Sequence, residues 1–239
     1  MRVVVLGKGL MLANIVLGAL DAGADVVGVF RYEETSTSRL KLFFQDFFKP
    51  SPEVTLIESL KLNRIRLKSA NSELFRKLML TLNVDLIIVG TWKERIQKET
   101  YNIPSIATVN VHPSLLPKYR GPNPYMQTIL HGEKYSGVSL HLLTDKFDAG
   151  PILKQEKVEI LESDTSKELR EKSVHLARKL VDELLLRRVK SMQLIIRILP
   201  VMRKCWILNF KLQTLYPGLY GRFIRFYHAI LNIKVNFLL

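Results

Sequence analysis

The chain has 239 residues, a hydrophobic content of 47%, a formal net charge of +14 and one cysteine. This length allows one large domain, or a medium domain with an appendage, and the hydrophobic content is sufficient for a buried core. Because Cys205 is the single cysteine, the composition excludes an intramolecular disulfide and any multi-cysteine metal site, which favours a reducing compartment such as the cytoplasm.

The positive charge is concentrated at the C-terminal end of the chain. All 22 acidic residues lie at or before Glu183, whereas ten of the 36 Lys and Arg residues fall between Arg187 and Lys234. The first 183 residues therefore carry a net charge of +4, and the remainder carries +10. A basic segment of this kind attracts nucleic acid phosphates or anionic lipid.

The N-terminal residues predict a β-α-β unit. Residues 3–6 form a β-branched apolar run, residues 10–22 have helical spacing, and residues 25–30 form a second apolar run. This order predicts a parallel sheet with helices on its faces. The opening lacks the small-residue cleavage site of a signal peptide, and no apolar run reaches the ~18 residues that would span a bilayer.

The turn between the first strand and the first helix reads Gly7-Lys8-Gly9. Its backbone N–H groups could face an anion at the helix N-terminus. However, the third glycine of a dinucleotide-binding fingerprint is absent, and no acidic residue suited to bind a ribose ends the second strand. A tight turn without a ligand is therefore the favoured interpretation.

Further strands and helices follow in the middle of the chain. Phenylalanines at 43, 44, 47 and 48 predict an amphipathic helix that packs on a core, and Asn71 or Ser72 caps a helix that runs to Leu82. Residues 85–90 and 106–111 are apolar runs typical of central strands. The carboxyl ends of such strands line the ligand crevice of an open parallel sheet.

The last predicted elements complete an α/β pattern. A helix begins at Asn123-Pro124 and ends at Gly132, and strands follow at 136–143 and 152–160. Thr165 and Glu168 form a capping box that starts a long helix. Its apolar positions are expected to face inward: Leu169, Ala177, Leu180, Val181, Leu184 and Leu185.

Three polar residues stand out as candidate catalytic groups. Asn110 and His112 are two apart on a strand, so their side chains share a face, and Asp148 follows in a turn bounded by Gly150 and Pro151. An amide can donate to an oxyanion, an imidazole can transfer a proton, and a carboxylate can orient the imidazole and favour its protonated form. The set suits direct acyl transfer to an amine, although a structural role for the histidine is equally compatible with the residue types.

The amino-acid sequence of this region resembles that of a known family. NVHPSLLPKYRG, then a helix, then GVSLHLLTDKFDAGPILKQ resemble the folate-dependent formyltransferases that act on methionyl-tRNA, glycinamide ribonucleotide or amino sugars. The resemblance covers roughly residues 1–188 and is strong from 85 to 155. It implies a Rossmann-like, mostly parallel sheet with helices on both faces. Residues 189–239 lie outside the resemblance, and their composition predicts a short basic C-terminal extension that is helical or poorly ordered.

The resemblance also implies roles for individual residues. Asn110, His112 and Asp148 match the catalytic trio, with protonated His112 stabilising the oxyanion, and the formyl donor is 10-formyltetrahydrofolate without a metal. His141 would flank the site, or serve only as a satisfied residue of the sheet. The residues expected to contact the formyl donor are Ile88, Val89, Gly90, Trp92, Leu143 and Asp145. Those expected to contact the acceptor are Gly9, Leu10, Ser114, Arg120 and Gly121.

The acceptor is the open part of this interpretation. Methionyl-tRNA is the leading expectation, with tRNA held by the basic extension, and an amino sugar or glycinamide ribonucleotide would make the partner a small-molecule amine. The glycinamide ribonucleotide enzymes are disfavoured because GKGLMLAN lacks their Ser-Asn pair. Two alternatives remain: a non-catalytic RNA-binding relative, and a divergent or frame-shifted C-terminal end with no selected function.

Overall fold

A six-stranded sheet organises the part of the chain that the computed structural model describes, residues 1–32, 46 and 48–186. The spatial order is β2-β1-β3-β4-β5-β6. The strands are β1 (Arg2–Gly7), β2 (Asp25–Arg31), β3 (Leu86–Gly90), β4 (Ala107–His112), β5 (Tyr135–Leu142) and β6 (Ile152–Glu159).

The first four strands are parallel, and the last two run antiparallel to their neighbours. The chain leaves β1 for β2 on one side and returns to β3 on the other, so the strand order reverses between β1 and β3. A reversal of this kind opens a crevice at the carboxyl ends of the strands. The Rossmann-like, mostly parallel sheet predicted from the sequence is therefore confirmed.

Helices connect and cover these strands: α1 (Gly9–Asp21), α2 (Pro52–Ser59), α3 (Glu73–Thr81), α4 (Lys98–Tyr101), α5 (Pro124–Leu130) and α6 (residues 166–186). Ser72 caps α3 through its hydroxyl, which accepts from Phe75 N at 3.2 Å. At α6, Thr165 N donates to Glu168 Oε2 at 3.0 Å, which confirms the capping box. Asn123 precedes α5, but its backbone is left-handed and its side chain makes no capping bond.

Hydrophobic residues cover both faces of the sheet. Alternate residues of β1 point to opposite sides, with Val3 and Val5 in one buried cluster and Val4 and Leu6 in the other. The first cluster contains apolar residues of α1 and α6, and the second contains Phe75 and Met79 of α3. Helices therefore lie on both faces, as predicted.

A buried cluster of charges closes the carboxyl end of β2. Arg31 Nη1 lies 2.8 Å from Asp46 Oδ2, and Arg31 Nε lies 3.3 Å from Glu53 Oε1. Arg64 contributes a second guanidinium, at 3.2 Å from the same Asp46 oxygen. The charges balance, which makes their burial tolerable.

Some predictions fall on residues that the structure does not describe. They are the phenylalanines at 43, 44 and 47 and the extension at 189–239. Phe48, which is described, has 76% of its surface exposed. Within residues 1–32, 46 and 48–186, no helix is long and apolar enough to cross a membrane.

Candidate active site

The three candidate catalytic residues meet at the carboxyl end of β4. Asn110 and His112 share one face of this strand, and Asp148 lies in the loop between β5 and β6. Asn110 Nδ2 donates to Asp148 Oδ1 at 3.1 Å, and His112 Nδ1 lies 3.4 Å from Asp148 Oδ2. The structure thus brings together the amide, imidazole and carboxylate that the sequence singled out.

The loop around Asp148 is shaped by close backbone contacts. Asp148 has a left-handed backbone with φ of 47°, and its Oδ2 accepts from Gly121 N at 2.9 Å. Gly150 passes so near β5 that a Cβ atom there would lie 1.8 Å from the carbonyl oxygen of Leu142. The loop therefore needs glycine at 150 to return its carboxylate to β4.

His112 is buried, and both of its ring nitrogens face acceptors. Nε2 lies 2.8 Å from the backbone carbonyl oxygen of Tyr119. Nε2 makes the shorter contact, 2.8 Å compared with the 3.4 Å between Nδ1 and Asp148 Oδ2, and we therefore assign the single hydrogen of the neutral ring to Nε2, which donates it to Tyr119 O. In the neutral ring the lone pair is therefore on Nδ1, on the side of Asp148.

The pKa of His112 lies below its ordinary value, and burial is the main cause. The charge of Asp148 and the hydrogen bond to the Tyr119 carbonyl act in the opposite direction, raising the pKa, and nearby His141 lowers it. The expected action of Asp148 is thus present, but burial outweighs it. The expectation of a protonated His112 is corrected: the neutral imidazole is favoured at neutral pH.

For Asp148, the effects that lower the pKa outweigh the effect of burial. Burial by itself raises the pKa of its carboxyl group, but His141, whose Nε2 lies 3.4 Å from Asp148 Oδ1, together with the nearby His112 and the N–H of Gly121, holds that pKa below its usual value. The carboxylate is therefore ionised at neutral pH.

His141 belongs to the same cluster as the trio. It pairs with Asn110 across β4 and β5, and its Nε2 lies 3.0 Å from Asn110 Nδ2. His141 Nδ1 lies 2.9 Å from the carbonyl oxygen of Leu142, so Nδ1 donates and Nε2 accepts in the neutral ring. Both amide hydrogens of Asn110 thus have partners, which an oxyanion must displace or share. The sequence placed His141 only beside the site, because the β4–β5 register was unknown.

A buried hydroxyl on β5 holds the loop after β4 in place. Ser139 Oγ donates to Ser114 O at 2.5 Å and accepts from Leu116 N at 3.1 Å. Gln155 Nε2 on β6 donates to the same hydroxyl at 2.7 Å. Ser114 is fully buried and its own hydroxyl donates to Lys118 O at 2.8 Å, so we assign Ser114 to the loop structure instead of substrate contact.

The residues expected at the donor site are divided between the sheet and its edge. Ile88 and Val89 are buried inside β3, between β1 and β4, and their side chains belong to the two core clusters. The backbones of these two residues pair with β1 and β4, so we expect ligand contacts at the residues that follow them in the chain. Gly90 ends the strand.

Three other expected donor residues lie at or near this edge. Trp92 packs against Phe30, with ring centroids 5.0 Å apart, and its buried Nε1 has no hydrogen-bond partner. Leu143 packs against the second core cluster, whereas Asp145 is exposed and accepts from Tyr101 OH at 3.2 Å.

The residues expected to contact an acceptor lie on two loops. Gly9 has a left-handed backbone with φ of 65° at the first turn of α1, and Leu10 beside it is 38% exposed. Arg120 is exposed and precedes Gly121, whose N–H binds Asp148. Among the residues described, no group of three or more His, Cys, Asp or Glu side chains is arranged to hold a metal ion.

Comparisons with known proteins match this arrangement. A family model described as formyl transferase matches residues 1–185. Methionyl-tRNA formyltransferase from Thermotoga neapolitana is 30% identical over 185 residues, which cover 77% of this chain and 58% of that protein. The chain therefore spans little more than half the length of that curated relative.

Solved structures show the same fold at low sequence identity. Glycinamide ribonucleotide transformylase 1 from Symbiobacterium toebii has a TM-score of 0.63 and 21% identity, covering 78% of this chain and 86% of that chain. A sugar N-formyltransferase from Shewanella has a TM-score of 0.58 and 23% identity, covering 80% and 70% respectively.

Proposed function

The chain belongs to the formyl transferase family, and from this premise we propose that it transfers a formyl group from 10-formyltetrahydrofolate to the amine of methionyl-tRNA. The observation that carries the proposal is the contact of Asn110 and His112 with Asp148 at the carboxyl end of β4. This cluster combines an N–H donor, a neutral imidazole and an ionised carboxylate, which are the groups that amide-forming acyl transfer needs.

Each residue has a separate part in the proposed reaction. Asn110 exchanges one of its internal hydrogen bonds for one to the formyl oxygen, where negative charge develops when the amine attacks. His112 accepts the proton of the attacking amine at Nδ1, because Nε2 already carries a hydrogen bound to Tyr119 O. Asp148 stabilises the imidazolium that results. His112 then gives this proton to the leaving amine of the donor as the bond between that amine and the formyl carbon breaks.

The donor site is proposed at the end of β3. When bound, 10-formyltetrahydrofolate supplies the formyl group together with a leaving amine. The fit rests on Trp92, whose buried indole N–H lacks a partner at this edge and can donate to a polar heterocycle. Gly90 and Asp145 flank the same edge and are proposed as further contacts.

Methionyl-tRNA is favoured as the acceptor by the charge of the chain. The relative from Thermotoga neapolitana is named methionyl-tRNA formyltransferase, and the residues after Glu183 supply ten of the 14 net positive charges of the chain. A basic surface attracts tRNA phosphates through counterion release. The proposal places the protein in the cytoplasm, with residues 1–188 as the catalytic domain and residues 189–239 as a tRNA-binding extension.

The decisive experiment supplies 10-formyltetrahydrofolate with methionyl-tRNA, glycinamide ribonucleotide or an amino sugar in separate reactions and detects the formylated product. We expect product with methionyl-tRNA. Formylation of a small amine alone would replace the proposed acceptor, and salt-sensitive binding of tRNA without any product would favour a non-catalytic RNA-binding protein.

Two variants test the assigned residues. Asn110→Ala and His112→Ala should each lower kcat by about 10²-fold or more, because each removes a group that acts on the reacting atoms. Thermal melting checks that the fold is retained. Turnover near that of the wild type in either variant would remove that residue from the mechanism.

A further inference from the structure

The backbone carbonyl of Tyr119 determines which nitrogen of His112 carries the hydrogen. It accepts from His112 Nε2 at 2.8 Å, and this contact places the lone pair of the neutral ring on Nδ1. The loss of this acceptor would remove the preference for the Nε2–H form. The orientation of one peptide group therefore controls the state of the proposed proton acceptor.

Tyr119 adopts an unfavourable backbone conformation to present this carbonyl. Its φ of 57° lies in the left-handed region, which is unfavourable for a residue with a Cβ atom. Aromatic side chains are rare there. Interactions elsewhere must hold the residue in place.

The side chain of Tyr119 provides such an interaction. Its phenol donates to Glu133 Oε1 at 2.8 Å, and its ring lies 5.6 Å from the ring of His131. Lys118 Nζ lies 2.9 Å from the same Glu133 oxygen. The contacts with Lys118 and with the Tyr119 phenol hold the pKa of Glu133 below its usual value, so the acceptor of the phenol is an ionised carboxylate.

We propose that Glu133 is a positioning residue for His112: through the Tyr119 phenol it holds the carbonyl that keeps the hydrogen of His112 on Nε2. Glu133 follows α5 and has no direct hydrogen bond to the trio. Its action passes through one side chain and one peptide group. The inference extends the proposed function, because it assigns a residue that sets the state of the proposed proton acceptor.

Two variants remove this link at different points. Tyr119→Phe deletes only the phenol oxygen, and Glu133→Ala deletes its acceptor. Glu133→Gln is the conservative variant, because its amide oxygen can still accept from the phenol. Lys118→Met is the matched control, since it removes the other partner of Glu133 and leaves the bond between Tyr119 and Glu133 intact.

The primary measurement is the tautomer of His112, followed by ¹⁵N chemical shifts in full-length protein with labelled histidine and assigned with His112→Ala. In the wild type we expect the hydrogen on Nε2. In Tyr119→Phe and Glu133→Ala we expect the shifts of the two ring nitrogens to move toward each other, as in a mixture of tautomers. Glu133→Gln and Lys118→Met should resemble the wild type.

Kinetics provide a second measurement on the same variants. A misplaced proton acceptor should lower kcat about tenfold in Tyr119→Phe and Glu133→Ala, with little change in the KM of the donor. An unchanged His112 tautomer in both variants would overturn the inference, as would an equal change in Lys118→Met. Absence of formyl transfer by the wild type would refute the proposed function, while the tautomer would still test the role of Glu133.

Discussion

The protonation state of His112 depends on electrostatic effects that oppose one another. Burial disfavours a charged ring, whereas Asp148 and the Tyr119 carbonyl both favour it. Burial has the larger effect, which favours the neutral imidazole at neutral pH. A single substitution that alters one of these partners should therefore shift the titration of this residue without moving the backbone.

We predict that Asp148→Asn lowers the pKa of His112 further, because it removes the charge that opposes burial. The wild-type ring already titrates below its ordinary pKa of about 6.5, so kcat/KM should be level near neutrality and fall as the pH drops through the lowered value. Histidine NMR titration of both proteins is the measurement. A higher His112 pKa in the variant would contradict the explanation.

The same shift affects stability. A histidine whose folded pKa lies below its unfolded value stabilises the fold above the unfolded pKa, and this contribution is lost as the pH falls through the folded pKa. Part of the stability that His112 contributes at neutral pH should therefore disappear under mild acid.

At the level of elements, the site depends on how closely the loop after β5 approaches the sheet. Leu142 N donates to Pro151 O at 2.9 Å, which closes the loop that carries Asp148. Gly150 allows this closure because it has no Cβ atom, and a Cβ at this position would collide with the Leu142 carbonyl. A backbone atom cannot rotate away as a flexible side chain can.

We predict that Gly150→Ala lowers kcat by at least tenfold and also lowers Tm, because the loop must move outward with Asp148. Gly23→Ala is the control: Gly23, in the turn between α1 and β2, has φ of 71° and no atom within 4 Å of an added Cβ. The control should lose only about 1 kcal/mol of stability and keep its turnover. Equal kcat in Gly150→Ala and the wild type would show that the loop adapts.

At the level of the whole molecule, the charge is divided very unevenly along the chain. Residues after Glu183 contain no acidic side chain and ten basic ones, although the first 183 residues are nearly neutral. An electrostatic contribution to tRNA binding should therefore come mainly from the C-terminal residues.

We predict that replacing four C-terminal residues with Gln weakens tRNA binding and reduces the steepness of its salt dependence, by up to about 0.7–0.9 in slope for each lost phosphate contact. The residues are Arg187, Arg188, Arg203 and Lys204. Filter binding of the full chain over a series of salt concentrations gives the slope. The control replaces four exposed lysines of the described unit: Lys61, Lys77, Lys157 and Lys167. Equal slopes for the two variants would exclude a special role for the C-terminal residues.

Much of the architecture was readable in the residues themselves. The apolar runs predicted the strands, and the cap at Ser72 and the capping box at Thr165 were both found. These signals are local, since strand alternation and helix capping involve residues only a few positions apart. Motifs around Asn110, His112 and Asp148 likewise indicated the family, because those residues and their spacing recur together.

The tertiary structure decided which residues from distant segments come into contact. The register of β4 and β5 places His141 against Asn110, and the fold of the loop after β4 turns the Tyr119 carbonyl toward His112. Neither contact leaves a periodic pattern in the sequence. The burial that keeps His112 neutral is also a property of the packed molecule, because desolvation depends on all surrounding segments at once. The sequence alone therefore determined which groups could react, and the packing determined their protonation and partners.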